Sequence, residues 1–150
     1  MQEKNINKEK MRYNNMNDKI EHLKMIKGII TRMNTNSFQI KGWTITLVSA
    51  LLALYANSGK VTYIFIALIP VLIFWFLDSY YLQQERKFRA LYNDIVNAAN
   101  YGTDIKEFEM SLDKYKTCEY CIMKSMISIT ILPLYLLLAM GLIIGGFILK

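Results

Sequence analysis

Histidine occurs once and cysteine twice in these 150 residues, and proline also twice. One histidine, His22, cannot supply a histidine-rich metal site. The pair Cys118-Glu119-Tyr120-Cys121 provides at most half of the four ligands a structural zinc site needs. No HExxH, GxSxG or phosphate-cradling glycine loop is present, so neither catalysis nor a cofactor is expected. Two cysteines also exclude a disulfide scaffold. The first 36 residues lack an apolar run of the secretory type, so no cleaved leader is expected. Strand-like alternation and internal repeats are missing as well.

Charged residues make up 20% of the chain and apolar residues 53%. The charge is strongly segregated. Three stretches read as membrane-crossing helices, since a hydrocarbon core of about 30 Å takes about 20 apolar residues. Segment one spans 37–56, with Lys41 placed to snorkel toward the head groups. Segment two spans 61–79. Segment three spans 122–149 and is uncharged from Ser125 to Leu149. Two crossings plus a re-entrant third segment are the alternative. Asn57-Ser58-Gly59-Lys60 is a tight turn joining the first two segments as an antiparallel hairpin. Trp43, Tyr55, Tyr63, Trp75, Tyr80 and Tyr81 mark the interfaces.

Residues 1–41 hold nine Lys and Arg, and residues 78–124 hold seven. The turn at 57–60 and the C-terminus hold one each. Positive charge stays inside. The expected location is a bacterial inner membrane, with the N-terminus and 78–124 cytoplasmic and the C-terminus outside. The two cysteines then face a reducing compartment.

Residues 1–17 are rich in Asn, Lys and Glu and read as a mobile basic arm, followed by a membrane domain over 18–150. Asp18 with Glu21 resembles a capping box. Leu23, Ile26, Ile30 and Met33 then share one face of a helix over 18–36. Its partner is the extension of segment two, where Tyr81, Phe88, Leu91 and Ile95 share a face. Residues 80–121 are expected to form a helical hairpin, with a turn at Asn100-Tyr101-Gly102 and a second helix from Asp104. His22 reads as a surface residue. The fold class is all-α, an integral membrane protein with three spanning helices and a cytoplasmic helical layer.

Three groups of residues are candidate sites. Gly42, Thr46, Ser49, Ala50, Ala53 and Ala56 form a small-residue stripe, and Gly141 and Gly145 form GxxxG. Both patterns let helices approach closely, within or between subunits. Thr44, Thr46 and Ser49 could line a constriction in a homo-oligomer. Pro70 and Pro133 are expected to kink their segments. Asp78 is an acid inside the interface and needs a partner, for which Lys41 is placed. Arg86, Lys87 and Arg89 either anchor the chain on lipid head groups or, with Lys24, Lys27 and Arg32, form an anion pocket. Arg forks suit phosphate, so a nucleotide or oligonucleotide is the ligand expected there.

The stretches 20–38 (IEHLKMIKGIITRMNTNSF), 41–54 (KGWTITLVSALLAL) and 67–94 (ALIPVLIFWFLDSYYLQQERKFRALYND), with fainter echoes at 108–115 and 131–135, cover about half the chain. They resemble small membrane proteins of bacterial antiphage systems, of the SLATT type or the Hailong-type membrane component. That resemblance implies an oligomeric effector that depolarises the cell, with a nucleotide-synthesising enzyme as partner. It carries over no catalytic residues. Beside this pore reading stand a non-conducting scaffold for a soluble partner and a holin-type lysis pore.

Overall fold

The computed structural model describes residues 2–101, 110–115, 117 and 120–148. The described chain is all-α. Helix α1 runs unbroken from Gln2 to Ser58, 57 residues or about 85 Å at 1.5 Å per residue. Residues 2–17, expected as an irregular arm, belong to it. No proline interrupts α1, and the Gln, Glu, Lys and Met residues of its first turns are good helix formers. The helix stops at Gly59, whose φ of 67° is the left-handed conformation glycine tolerates. Its N–H caps the Tyr55 carbonyl at 2.7 Å.

After the turn come α2 (Thr62–Ile66) and α3 (Leu68–Tyr101). The break falls at Ala67, where Pro70 has no N–H for the Ile66 carbonyl. The interruption thus falls one turn before Pro70, where the kink was expected. A 3-10 turn covers Asp113–Tyr115, and α4 (Ile122–Met126) and α5 (Leu132–Ile148) follow. The stretches 9–58 and 62–98 are long and apolar enough to cross a membrane.

Three expectations change here. Segment three is two helices, since Ile127 to Ile131 form turns. Pro133 consequently sits in the first turn of α5, where no donor is required, and it starts that helix without kinking it. The described part of 102–121 holds only the 3-10 turn and irregular backbone. The expected helix start at Asp104 lies outside the described residues.

α1 and α3 pack antiparallel along two cores. In the apolar half, Val48, Ile64, Ala67, Val71, Ile131, Tyr135 and Leu142 are buried together. In the polar half, Ile26 of α1 meets Leu91 and Ile95 of α3, with Tyr115 closing the cluster. The 3-4-3 face of Leu23, Ile26 and Ile30 thus finds the partner expected for it. Burying a side chain such as Ile26 there contributes about 1.5–3 kcal/mol. His22 belongs to this buried face, at 2% exposure, and is not a surface residue. It lies four residues before Ile26, so the same helical face carries both.

The GxxxG pair does not make a tight helix contact within the subunit. A Cβ at Gly141 or Gly145 would meet nothing within 4 Å. Both glycines line an apolar groove between α1 and α5, of about 220 Å³, with Val48, Leu52 and Tyr55 opposite. The close approach is at Gly146, where a Cβ would lie 3.2 Å from the Phe65 ring.

Candidate functional site

The main cluster lies where the apolar halves of α1, α3 and α5 reach the polar layer. Ser37, Lys41 and Thr44 stand at i, i+4 and i+7 on the buried face of α1. Asp78 of α3 projects between them and is fully buried. The Ser37 hydroxyl donates to Asp78 Oδ1. Lys41 Nζ lies 2.6 Å from Asp78 Oδ2 and donates to Ser37 Oγ at 2.8 Å. This is the pairing expected from the sequence. Lys41 keeps 24% of its side chain exposed, so its ammonium bridges water and the buried acid.

Further hydroxyls are buried along with Asp78. Thr44 is fully buried and donates to the Ile40 carbonyl at 2.8 Å. Ser79, also fully buried, donates to the Trp75 carbonyl at 2.7 Å. Tyr135 of α5 brings its hydroxyl against Thr44 and Asp78 and forms no well-made hydrogen bond. Thr44, grouped by sequence with Thr46 and Ser49, therefore faces the subunit interior. Thr46 and Ser49 face outward with Gly42 and Ala53.

The six cations expected to share one pocket do not converge. Lys27 and Arg89 flank a groove of about 390 Å³, together with Ile30, Thr31, Tyr92 and Asn93. Lys24, Arg32, Arg86 and Lys87 are not in its lining. Arg86 turns instead to Ser128 Oγ, which its Nη2 reaches at 2.8 Å. Arg89 is held by Glu85 at 2.7 Å. Lys24 and Arg32 are exposed on α1, and Lys87 is half-buried. Cations close in sequence diverge because successive helical positions turn by about 100°.

α3 also ties the later segments down. Trp75 Nε1 donates to the Met126 carbonyl at 3.2 Å, and Gln83 Nε2 to the Tyr120 carbonyl at 2.7 Å. Further out, Asp94 accepts from Lys114 Nζ at 2.7 Å and from the Tyr115 hydroxyl at 2.8 Å. These donors, Lys114 first, hold the Asp94 carboxyl below its ordinary 3.8. Burial first, and then Asp94, pushes the Tyr115 phenol up. A carboxylate with a lowered pKa stabilises the fold above its unfolded pKa, and loses that stabilisation as pH falls through the folded value. Asp94→Asn should therefore cost about 0.5–1 kcal/mol at neutral pH, since Lys114 is largely exposed and solvent-screened. The cost should vanish below the folded pKa, under pH 3.8. Chemical unfolding at neutral pH and in acid measures both.

The sequence reading passed over Ser37, Thr44, Ser79 and Tyr135 as members of this cluster. A signal existed for the first two. Continuing the spacing of Ile26 and Ile30 along α1 places Ser37, Thr44 and Val48 on the same face. Nothing local marks Tyr135, which arrives from a segment more than 50 residues beyond Asp78.

No family model, curated protein or solved structure matches the chain.

Proposed function

We propose that this chain is an oligomeric, ion-conducting membrane effector of a bacterial inner membrane, acting in antiphage defence by depolarising the cell. The observation that carries the reading is the outward face of α1. Gly42, Thr46, Ser49 and Ala53 are all exposed on the subunit surface, while Val48 beside them is buried in the apolar core. The hydroxyl-bearing face of Thr46 and Ser49 is turned away from the subunit's own core. Hydroxyls at small-residue positions suit a lining shared between subunits. α5 makes the third crossing in this reading. Its 17 uncharged residues stand at the short end of the usual range and put the C-terminus outside.

Control enters from the cytoplasm in this proposal. The groove at Lys27 and Arg89 offers two cations, the Tyr92 ring and the Asn93 amide to a phosphate-rich ligand, a nucleotide or oligonucleotide made by a partner enzyme. A ligand shifts the open–closed balance only by its difference in affinity for the two states.

Purified protein in planar bilayers is expected to give discrete conductance steps, changed in open probability by oligonucleotide. Ala53→Leu should reduce conductance at least tenfold without unfolding the subunit, because its side chain points away from the core. A chain that crosslinks only as monomer and never conducts would leave the scaffold reading. The exposed Met11 and Met16 on α1 favour that second reading.

A further inference from the structure

The outward face of α1 continues beyond the membrane in phase. At 100° per residue, Ile6, Tyr13, Asn17, Ile20 and Lys24 fall within an arc of roughly 60°. Thr31, Thr35 and Phe38 fall in the same arc, and so do Gly42, Ser49, Ala53 and Ala56. All of these residues are exposed. Ile6 is 60%, Tyr13 63% and Phe38 77% exposed. The arc lies opposite the buried line of His22, Ile26, Ser37, Ile40 and Thr44. Residues 1–41 carry nine cations, yet Lys24 is the one charged residue on this arc.

We propose that this arc is one self-docking surface, on which Ile6, Tyr13, Ile20 and Phe38 meet the same residues of a second copy in parallel. The proposal rests on the oligomer reading above and extends it into the cytoplasm. Two considerations select a second copy over an unlike partner. The membrane fixes all copies parallel and at one depth, so the small face of one subunit stands at the height of its neighbour's. The arc is nearly uncharged, so it offers no charge pattern for an acidic or basic partner to read. From Ile6 to Ala56 the strip is about 75 Å long and, over a 60° arc, about 5–6 Å wide, so two copies would meet along a narrow seam of about 400 Å² each. Parallel docking brings Lys24 to Lys24, an unfavourable pair that salt screens.

Disulfide crosslinking of the full chain in native membranes tests this, with Cys118 and Cys121 replaced by Ser. Tyr13→Cys, Ile20→Cys and Ser49→Cys should each form dimers. Met25→Cys, exposed but about 80° beyond the edge of the arc, should form at least fivefold less. Adding Lys24→Gln to Tyr13→Cys should raise the dimer fraction at least twofold at low salt. Dimers from Ser49→Cys alone would overturn the cytoplasmic extension and leave the membrane oligomer intact. Dimers from none of the three would remove the oligomer itself. Equal crosslinking at Met25→Cys would mean random collision, and an unchanged Lys24→Gln would refute the parallel register. A crosslink from Tyr13→Cys to a different protein would assign the face to an unlike partner.

Discussion

Lys41→Met is expected to destabilise the chain by about 3–5 kcal/mol, the cost of leaving a buried charge without its partner. Asp78 is fully buried, and the Ser37 hydroxyl alone cannot neutralise it. Asp78→Ala should cost less, about 1–3 kcal/mol, because the partly exposed Lys41 ammonium can move outward into water. The double variant should recover part of the Lys41→Met loss, since no charge then remains inside. Unfolding of the purified protein in mild detergent gives all three values. Lys41→Met within 0.5 kcal/mol of wild type would mean that another group carries the counter-charge.

Tyr135→Ala should cost a similar amount, about 3–5 kcal/mol. The ring is 1% exposed and packed with Val71 and Ile131, and it is what locks α5 onto the α1–α3 pair. Tyr135→Phe should lie within about 1 kcal/mol of wild type, because the hydroxyl forms no well-made hydrogen bond whose loss would matter. The same unfolding measurement separates the two roles. A Phe variant as weak as the Ala variant would show that the hydroxyl, and not the ring, secures α5.

The residues that announced the fold were those whose signal is local. The 3-4-3 spacing of Leu23, Ile26 and Ile30 specified a face, and Asn57-Ser58-Gly59 specified a turn. Lys41 and Asp78 could be paired from sequence because the hairpin sets them at matching heights. Three features depended on contacts that sequence spacing does not encode. His22 looked polar and therefore exposed, but the arrival of α3 buries it. Arg86 and Arg89 look like one patch in sequence, yet Ser128 draws one aside and Glu85 holds the other. Residues 2–17 read as unstructured because polar Asn, Lys and Glu dominate them, although several of their residue types favour a helix once α1 supplies a nucleus. Pro133 was misplaced for a related reason: its effect depends on whether the helix begins before or after it.

The unbroken length of α1 has a mechanical consequence. Taken as a rigid rod pivoting at the Lys41–Asp78 contact, it extends about 58 Å toward its N-terminus and about 26 Å toward Ser58. A rotation of about 5° would carry the N-terminal tip roughly 5 Å and the far end roughly 2 Å the opposite way. The helix is then an unequal lever, trading displacement at its N-terminal end for force at its Ser58 end. A push at Tyr13, about 42 Å from the pivot, would be multiplied about 1.6-fold at Ser58.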